Sequence, residues 1–273
     1  MLYIKTQWAA LLLKVLKMKK MVVSNQKGGV GKSAVICQYA HFLHSLGLRV
    51  VVIDMDHQCN TSKALKTGGK AVAKVSAYAV LTEADQTIEN PESFMLVEGD
   101  AKLTSIEKNG NLHNSYGVNY SKFLENIDSS FDICLIDTNP NPDFRQVASL
   151  AFSDFVLSPI QLNQEAVDGI GALLKQLKLI YKLNPKLKFI GVLPNLVEQT
   201  PFQKENLAAI QQYYSKLLIS IDADNYASIK KNTAIAESQA QGIAVNKLGK
   251  TSGYTAWAEL KPIFETLNKV MGL

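Results

Sequence analysis

Apolar residues in this chain fall into short unbroken runs, separated by longer stretches in which they recur every three or four positions. The runs are Met21–Ser24, Arg49–Asp54, Phe94–Glu98, Asp132–Asp137, Phe155–Ile160 and Phe189–Leu193. Arg49–Asp54 reads RVVVID and Asp132–Asp137 reads DICLID, each a continuous apolar segment closed by a carboxylate. A strand covered on one face alternates apolar with polar, whereas one buried on both faces does not. Helical spacing marks Ser33–Leu46, closed by Gly47, and Val167–Leu183. Alternation of this kind predicts an α/β fold: a mostly parallel, twisted sheet with helices on both faces and ligands at the carboxyl ends of the strands. Residues 66–92 and 108–120 are polar and irregular, and predict loops or short helices over the site.

No internal repeat, low-complexity tract or composition break occurs beyond residue 17, which predicts one domain over residues 18–273. Residues 1–17 hold an apolar stretch from Trp8 to Leu16, interrupted by Lys14, with no small-residue cleavage site after it. They predict an appendage, a short helix, with Met18 as an alternative start. A membrane-surface helix would need one apolar face, and here the apolar residues run nearly all round.

Composition narrows the class. With 47% hydrophobic and 19% charged residues in 273, the chain has the material for a large core and is not a disordered one. Its apolar runs are too short to span a bilayer. Cys37, Cys59 and Cys134 show no CxxC spacing, which argues against a disulfide scaffold and for a reducing cytoplasm. A net charge of +5 is compatible with nucleic acid or phosphate partners without deciding between them.

The strongest chemical signal is Lys27-Gly28-Gly29-Val30-Gly31-Lys32-Ser33, preceded by Ser24-Asn25-Gln26 and followed by Ala34. It leaves a strand and opens a helix, the setting a phosphate loop requires. The glycines let backbone N–H groups turn inward round a phosphate, and the helix N-terminus adds positive potential. Lys32 would reach the β- and γ-phosphates, and the Ser33 hydroxyl would bind Mg²⁺. In the ordinary GxxxxGK[ST] pattern a glycine would stand at Gln26, and the loop instead carries a second lysine, Lys27.

NQKGGVGKS resembles the deviant Walker A loop of the ParA/MinD family of ATPases, and more closely its ParA, DNA-partition branch. The resemblance implies that Lys27 reaches across an ATP-sandwiched homodimer to the partner's phosphates, as an arginine finger does. Asp54-Met55-Asp56-His57-Gln58-Cys59-Asn60 is similar to the family's DxDxQxN segment. Its second aspartate, here Asp56, then orients the attacking water, and Asp54 belongs to the magnesium and loop environment. Asp137 closes a strand in the Walker B pattern and can bind Mg²⁺. Thr138-Asn139-Pro140 resembles the switch that follows, commonly Thr-Pro-Pro, with Asn139 departing from it. Ala151–Gly169, Leu183–Leu193 and Ile229–Glu237 extend the resemblance through nearly the whole chain.

The absence of NKxD or TKxD favours ATP over GTP, and Asn195 lies where family members contact adenine. Lys175, Lys178 and Lys182 share one helix face, read either as a solvated face or as a contact to the phosphate backbone of DNA. Lys230 and Lys231 would add to such a contact, although a further basic position of relatives is Ala234 here. No helix-turn-helix-sized segment precedes the phosphate loop, as in the short type of partition ATPase. Trp257, Leu260, Ile263, Phe264, Leu267 and Val270 recur at helical spacing and predict a docked C-terminal helix, not a membrane anchor. No cysteine follows Asp137 to hold an iron–sulfur cluster, and Cys134 reads as core. The resemblance thus implies a cytoplasmic, nucleoid-associated, Mg²⁺-dependent ATPase with slow intrinsic turnover. It would dimerise round ATP, bind DNA non-specifically, answer to a centromere-binding partition protein and distribute plasmid or chromosomal DNA. The alternatives are an ATPase that positions a protein complex or assists conjugation, and a nucleotide-dependent scaffold without hydrolysis.

Overall fold

The computed structural model describes residues 17–163 and 166–273. The expected N-terminal appendage therefore lies, apart from Lys17, outside the described residues. The first half runs β1 (Lys19–Val23), α1 (Lys32–Ser45), β2 (Val50–Asp54), α2 (Asn60–Thr67), β3 (Val72–Ser76), α3 (Ala77–Thr82) and β4 (Phe94–Glu98). A 3₁₀ segment, Ala101–Lys108, leads to α4 (His113–Ile127), β5 (Ile133–Asp137), α5 (Phe144–Ala151), β6 (Phe155–Ile160) and α6 (Ala166–Leu183). The chain ends with β7 (Lys188–Val197), α7 (Pro201–Tyr214), β8 (Ile229–Lys230), α8 (Thr233–Gln241) and α9 (Thr251–Met271).

The strands form one eight-stranded sheet in the order β3-β4-β2-β5-β1-β6-β7-β8. Every pairing between these strands is parallel, as the unbroken apolar runs predict. Successive side chains along a strand go to opposite faces, so each run feeds two cores. Val50 and Val52 belong to the core shared with α1, α2, α8 and α9, whereas Val51 and Ile53 belong to the core shared with α3 to α7. Burying each such side chain contributes about 1.5–3 kcal/mol.

Two stretches expected to hold loops or short helices contain such helices and, in one of them, a strand as well. Within residues 66–92 lies β3, an edge strand whose residues VAKVS are half-buried or exposed, so the apolar signal is weak. Residues 108–120 contain the first half of α4, whose buried side chains Tyr116, Tyr120, Phe123, Leu124 and Ile127 keep helical spacing among polar neighbours. The strand expected over Phe189–Leu193 runs on to Val197, because β6 pairs along one side and β8 along the other.

α9 docks as predicted. Phe264 is fully buried, with ring centroids 5.0 Å from Tyr39 and 5.6 Å from Phe42. Val270, expected on the docked face, is instead exposed, and Met271 takes the inward position. Cys134 is core, and burial pushes its thiol up to about 12.

Candidate nucleotide site

Strand register builds the site. Val23 and Asp54 each stand opposite Asp137, so β1, β2 and β5 end at one level of the sheet, side by side. From the end of β1 the chain turns through Ser24–Gly31 into α1. Gly29 and Gly31 have φ of +75° and +85°, a region that glycine enters without strain. A Cβ on Gly31 would also stand 2.3 Å from Asn195 Nδ2. No described side chain caps the N-terminus of α1, which leaves that end suited to an anion.

The loop borders a cleft of about 540 Å³, lined by Gly28 through Ala34, Asp56, Gln58 and Asn60, with Lys63 and Thr67 of α2 and Gln239 of α8. Lys32 folds back across the loop, its Nζ donating to the carbonyls of Asn25 at 3.2 Å and Lys27 at 3.3 Å. Burial pulls the Lys32 amine below its ordinary value, against the opposing effects of Asp137 and Asp56. Lys27 is half-buried, and its backbone N–H donates to Asn25 Oδ1 at 2.8 Å.

Asp137 is buried at the end of β5, against Ser33 of the loop. Its Oδ2 accepts the Ser33 hydroxyl at 2.7 Å and the Thr61 hydroxyl at 2.6 Å. Its Oδ1 is buried without a hydrogen-bond partner among the described residues. Burial holds the Asp137 carboxyl above the ordinary range, and burial followed by the charge of Asp137 does the same to Asp54. An orphaned carboxylate oxygen next to a serine hydroxyl is a donor set that fits Mg²⁺. No group of three or more His, Cys, Asp or Glu among the described residues could form a metal cage by itself. A cation here would thus be shared with phosphate oxygens, as Mg²⁺ usually is.

The carboxylates of β2 and its loop divide their tasks. Asp54 Oδ1 accepts the Asp56 N–H at 3.1 Å, and Oδ2 accepts the Ser62 N–H at 2.9 Å and hydroxyl at 2.7 Å. With both oxygens engaged, Asp54 braces the loop that carries Asp56. Asp56 lines the cleft, with Oδ1 accepting the Gln58 N–H at 3.0 Å.

Asn195 is buried at the carboxyl end of β7. Its Nδ2 donates to the Val30 carbonyl at 2.7 Å, so its amide supports the phosphate loop from behind. It does border a second, smaller cavity of about 200 Å³, with Ala34, Val35, Leu196, Ile229, Asn232 and Ile235.

The switch after β5 is a buried polar network. Thr138 Oγ1 donates to the Val23 carbonyl at 3.0 Å, and Asn139 Nδ2 to Asp143 Oδ2 at 2.6 Å. Asp143 caps α5 through the Gln146 N–H and accepts Arg145 Nη2 at 2.5 Å, while Arg145 Nη1 reaches the Met55 carbonyl at 3.4 Å. Gln146 Nε2 donates to Ser24 Oγ at 3.0 Å and its Oε1 accepts from Gln176 of α6. The motifs alone did not single out Thr61, Ser62, Arg145 or Gln146. For Arg145 a signal existed, since it is one of only two arginines in a lysine-rich chain.

Lys175, Lys178 and Lys182 lie exposed along α6, away from the cleft lining. Lys230 and Lys231 are ion-paired, to Glu259 at 2.7 Å and Glu198 at 2.8 Å. Ala234 is buried. No described helix is long and apolar enough to cross a membrane.

Comparison with known proteins gives the same outline. Residues 18–189 match the AAA_31 family, described as an AAA domain. Protein IncC of Escherichia coli is 32% identical over 261 residues, covering 90% of this chain and 68% of that protein. The sporulation initiation inhibitor protein Soj of Bacillus subtilis is 26% identical over 231 residues, covering 82% and 88%. Among solved structures, an aspartate variant of McdA from Cyanothece in complex with ATP superposes with a TM-score of 0.75 at 20% identity, covering 94% and 97%.

Proposed function

The chain belongs to the ParA/MinD family of P-loop ATPases as a ParA-type partition protein, and on that premise we propose that it is an ATP-driven dimerisation switch acting on DNA. The observation that carries the reading is the convergence on one cleft of the phosphate loop from Gly28 to Ala34 and Asp56, with Asp137 hydrogen-bonded to Ser33 of that loop. In this reading Gly28–Ala34 hold the phosphates by backbone N–H groups, and Lys32 leaves its two carbonyl contacts to neutralise the β- and γ-oxygens. Ser33 and Asp137 would hold Mg²⁺, with Asp54 in the surrounding environment and bracing the loop. Magnesium, when bound, neutralises charge on the phosphate oxygens. The smaller cavity beside Asn195, apolar on most sides, takes the adenine. Asp56 orients water toward the γ-phosphate, and Lys27 serves the phosphates of a second subunit.

Dimerisation round ATP, DNA binding by the exposed lysines of α6, release on hydrolysis and stimulation by a centromere-binding protein complete the cycle. It belongs to the cytoplasm and the nucleoid. Turnover is slow in isolation, because the switch residues are completed only by dimer and partner. Lys32→Ala should abolish ATP binding, and Asp56→Ala should bind ATP while phosphate release falls by about 10²-fold or more. Phosphate release at the parent rate in Asp56→Ala would remove Asp56 from the catalytic role.

A second reading, an ATPase that positions a protein complex or assists conjugation, draws on the ion pairs of Lys230 and Lys231 and the buried Ala234. These weaken the DNA contact near β8.

A further inference from the structure

Thr61 sits in the first turn of α2, wholly buried, and its hydroxyl donates to Asp137 Oδ2 at 2.6 Å. The Ser33 hydroxyl donates to that same oxygen at 2.7 Å. Two donors on one oxygen restrict rotation of the carboxyl group, and they leave Oδ1 as its buried atom without a partner among the described residues. The next residue, Ser62, holds Asp54 through both its N–H and its hydroxyl. Asp54 and Asp137 are register partners on adjacent strands, so one helical turn latches two neighbouring carboxylates. The latches differ in result: Asp54 has both oxygens engaged, and Asp137 keeps one for something else. Because α2 begins just past the Asp56 loop, the Thr61 bond also ties that loop to the end of β5.

We propose that Thr61 is a positioning residue for Asp137, its hydroxyl holding the carboxylate in the orientation that leaves Oδ1 to the magnesium ion accompanying ATP. The inference rests on the reading of Asp137 given above. Partners that orient a metal ligand without touching the metal typically change its affinity by 10–100-fold when removed. Valine at 61 keeps the shape and loses the hydroxyl, alanine loses both, and serine keeps the hydroxyl and loses a methyl.

The test is a fluorescence titration of the full chain with mant-ATP over a range of Mg²⁺ concentrations and in EDTA, with Asp137→Asn as reference. Thr61→Val and Thr61→Ala should both need on the order of ten-fold more Mg²⁺ for half-maximal affinity, with EDTA affinity unchanged. Thr61→Ser should stay within about two-fold of the parent. The inference is overturned if the hydroxyl-free variants keep the parent's Mg²⁺ midpoint. It is equally overturned if Thr61→Ser shifts as far as they do, or if affinity in EDTA falls in parallel, because either result marks packing as the cause. If Asp137→Asn also keeps the parent midpoint, the reading of Asp137 itself fails. A shift in Asp137→Asn alone overturns only the role of Thr61.

Discussion

Asp54 and Asp137 end adjacent strands at the same height, yet different hydroxyl groups hold them: Ser62 for Asp54, and Ser33 and Thr61 for Asp137. That the glycine loop, Lys32 and Asp56 share one cleft, with Asp137 against Ser33, was legible because their spacing is set along the chain. Thr61, Ser62 and Arg145 were not, because their partners Asp137, Asp54 and Met55 reach them only once the sheet has formed. The same principle applies to His41, which packs edge-on against Phe94. Burial first, then the charges of Lys70 and His44, lowers its pKa from 6.5 to about 4. Below pH 6.5 the unfolded chain takes up a proton that the folded His41 refuses. Stability fully present above pH 6.5 should therefore be lost as pH falls toward 4, by on the order of 2–3 kcal/mol. Urea unfolding of His41→Gln between pH 7.5 and 4.5 should show a shallower fall than the parent; equal slopes would contradict the assignment.

At the level of elements, α8 and α2 meet through backbone. Gly242 closes α8 with φ +66°, and a Cβ there would stand 2.1 Å from the Gly68 nitrogen and 2.3 Å from the Ala64 carbonyl. Gly242→Ala thus faces both strain and collision, and should cost about 1–3 kcal/mol or more. Gly249 has φ +67° with open space round its Cβ position, so Gly249→Ala isolates the strain alone. Thermal melts should rank the two losses with Gly242→Ala the larger, and the reverse order would contradict the packing argument. Long apolar runs made β2, β4, β5 and β6 legible to within a residue. The half-exposed β3 and the two-residue β8 were not, since an edge strand draws its definition from its neighbour and not from its own pattern. α4 was legible in principle, its inward tyrosines and phenylalanine keeping helical spacing among polar residues.

For the whole molecule, the sheet places the nucleotide cleft at its carboxyl edge and leaves α6 with an exposed lysine row whose helix is tied, by Gln176 and Gln146, to Ser24 beside the phosphate loop. Gel shifts on random duplex DNA should show binding with ATP and loss of it with ADP. Each phosphate contact contributes about −0.9 to the slope of log K against log salt. Replacing Lys175, Lys178 and Lys182 together with alanine should therefore flatten that slope by about 2–3. No binding at low salt with ATP would favour the positioning or conjugation reading. The central claim is that Lys27 completes a second subunit's site only while ATP is held. Sedimentation velocity tests it most directly, on Asp56→Ala and on Asp56→Ala combined with Lys27→Ala. The single variant should sediment at double the chain mass in Mg²⁺-ATP and at the chain mass in ADP, while the double variant stays at the chain mass in both. A double variant that dimerises in ATP as fully as the single one would contradict the account.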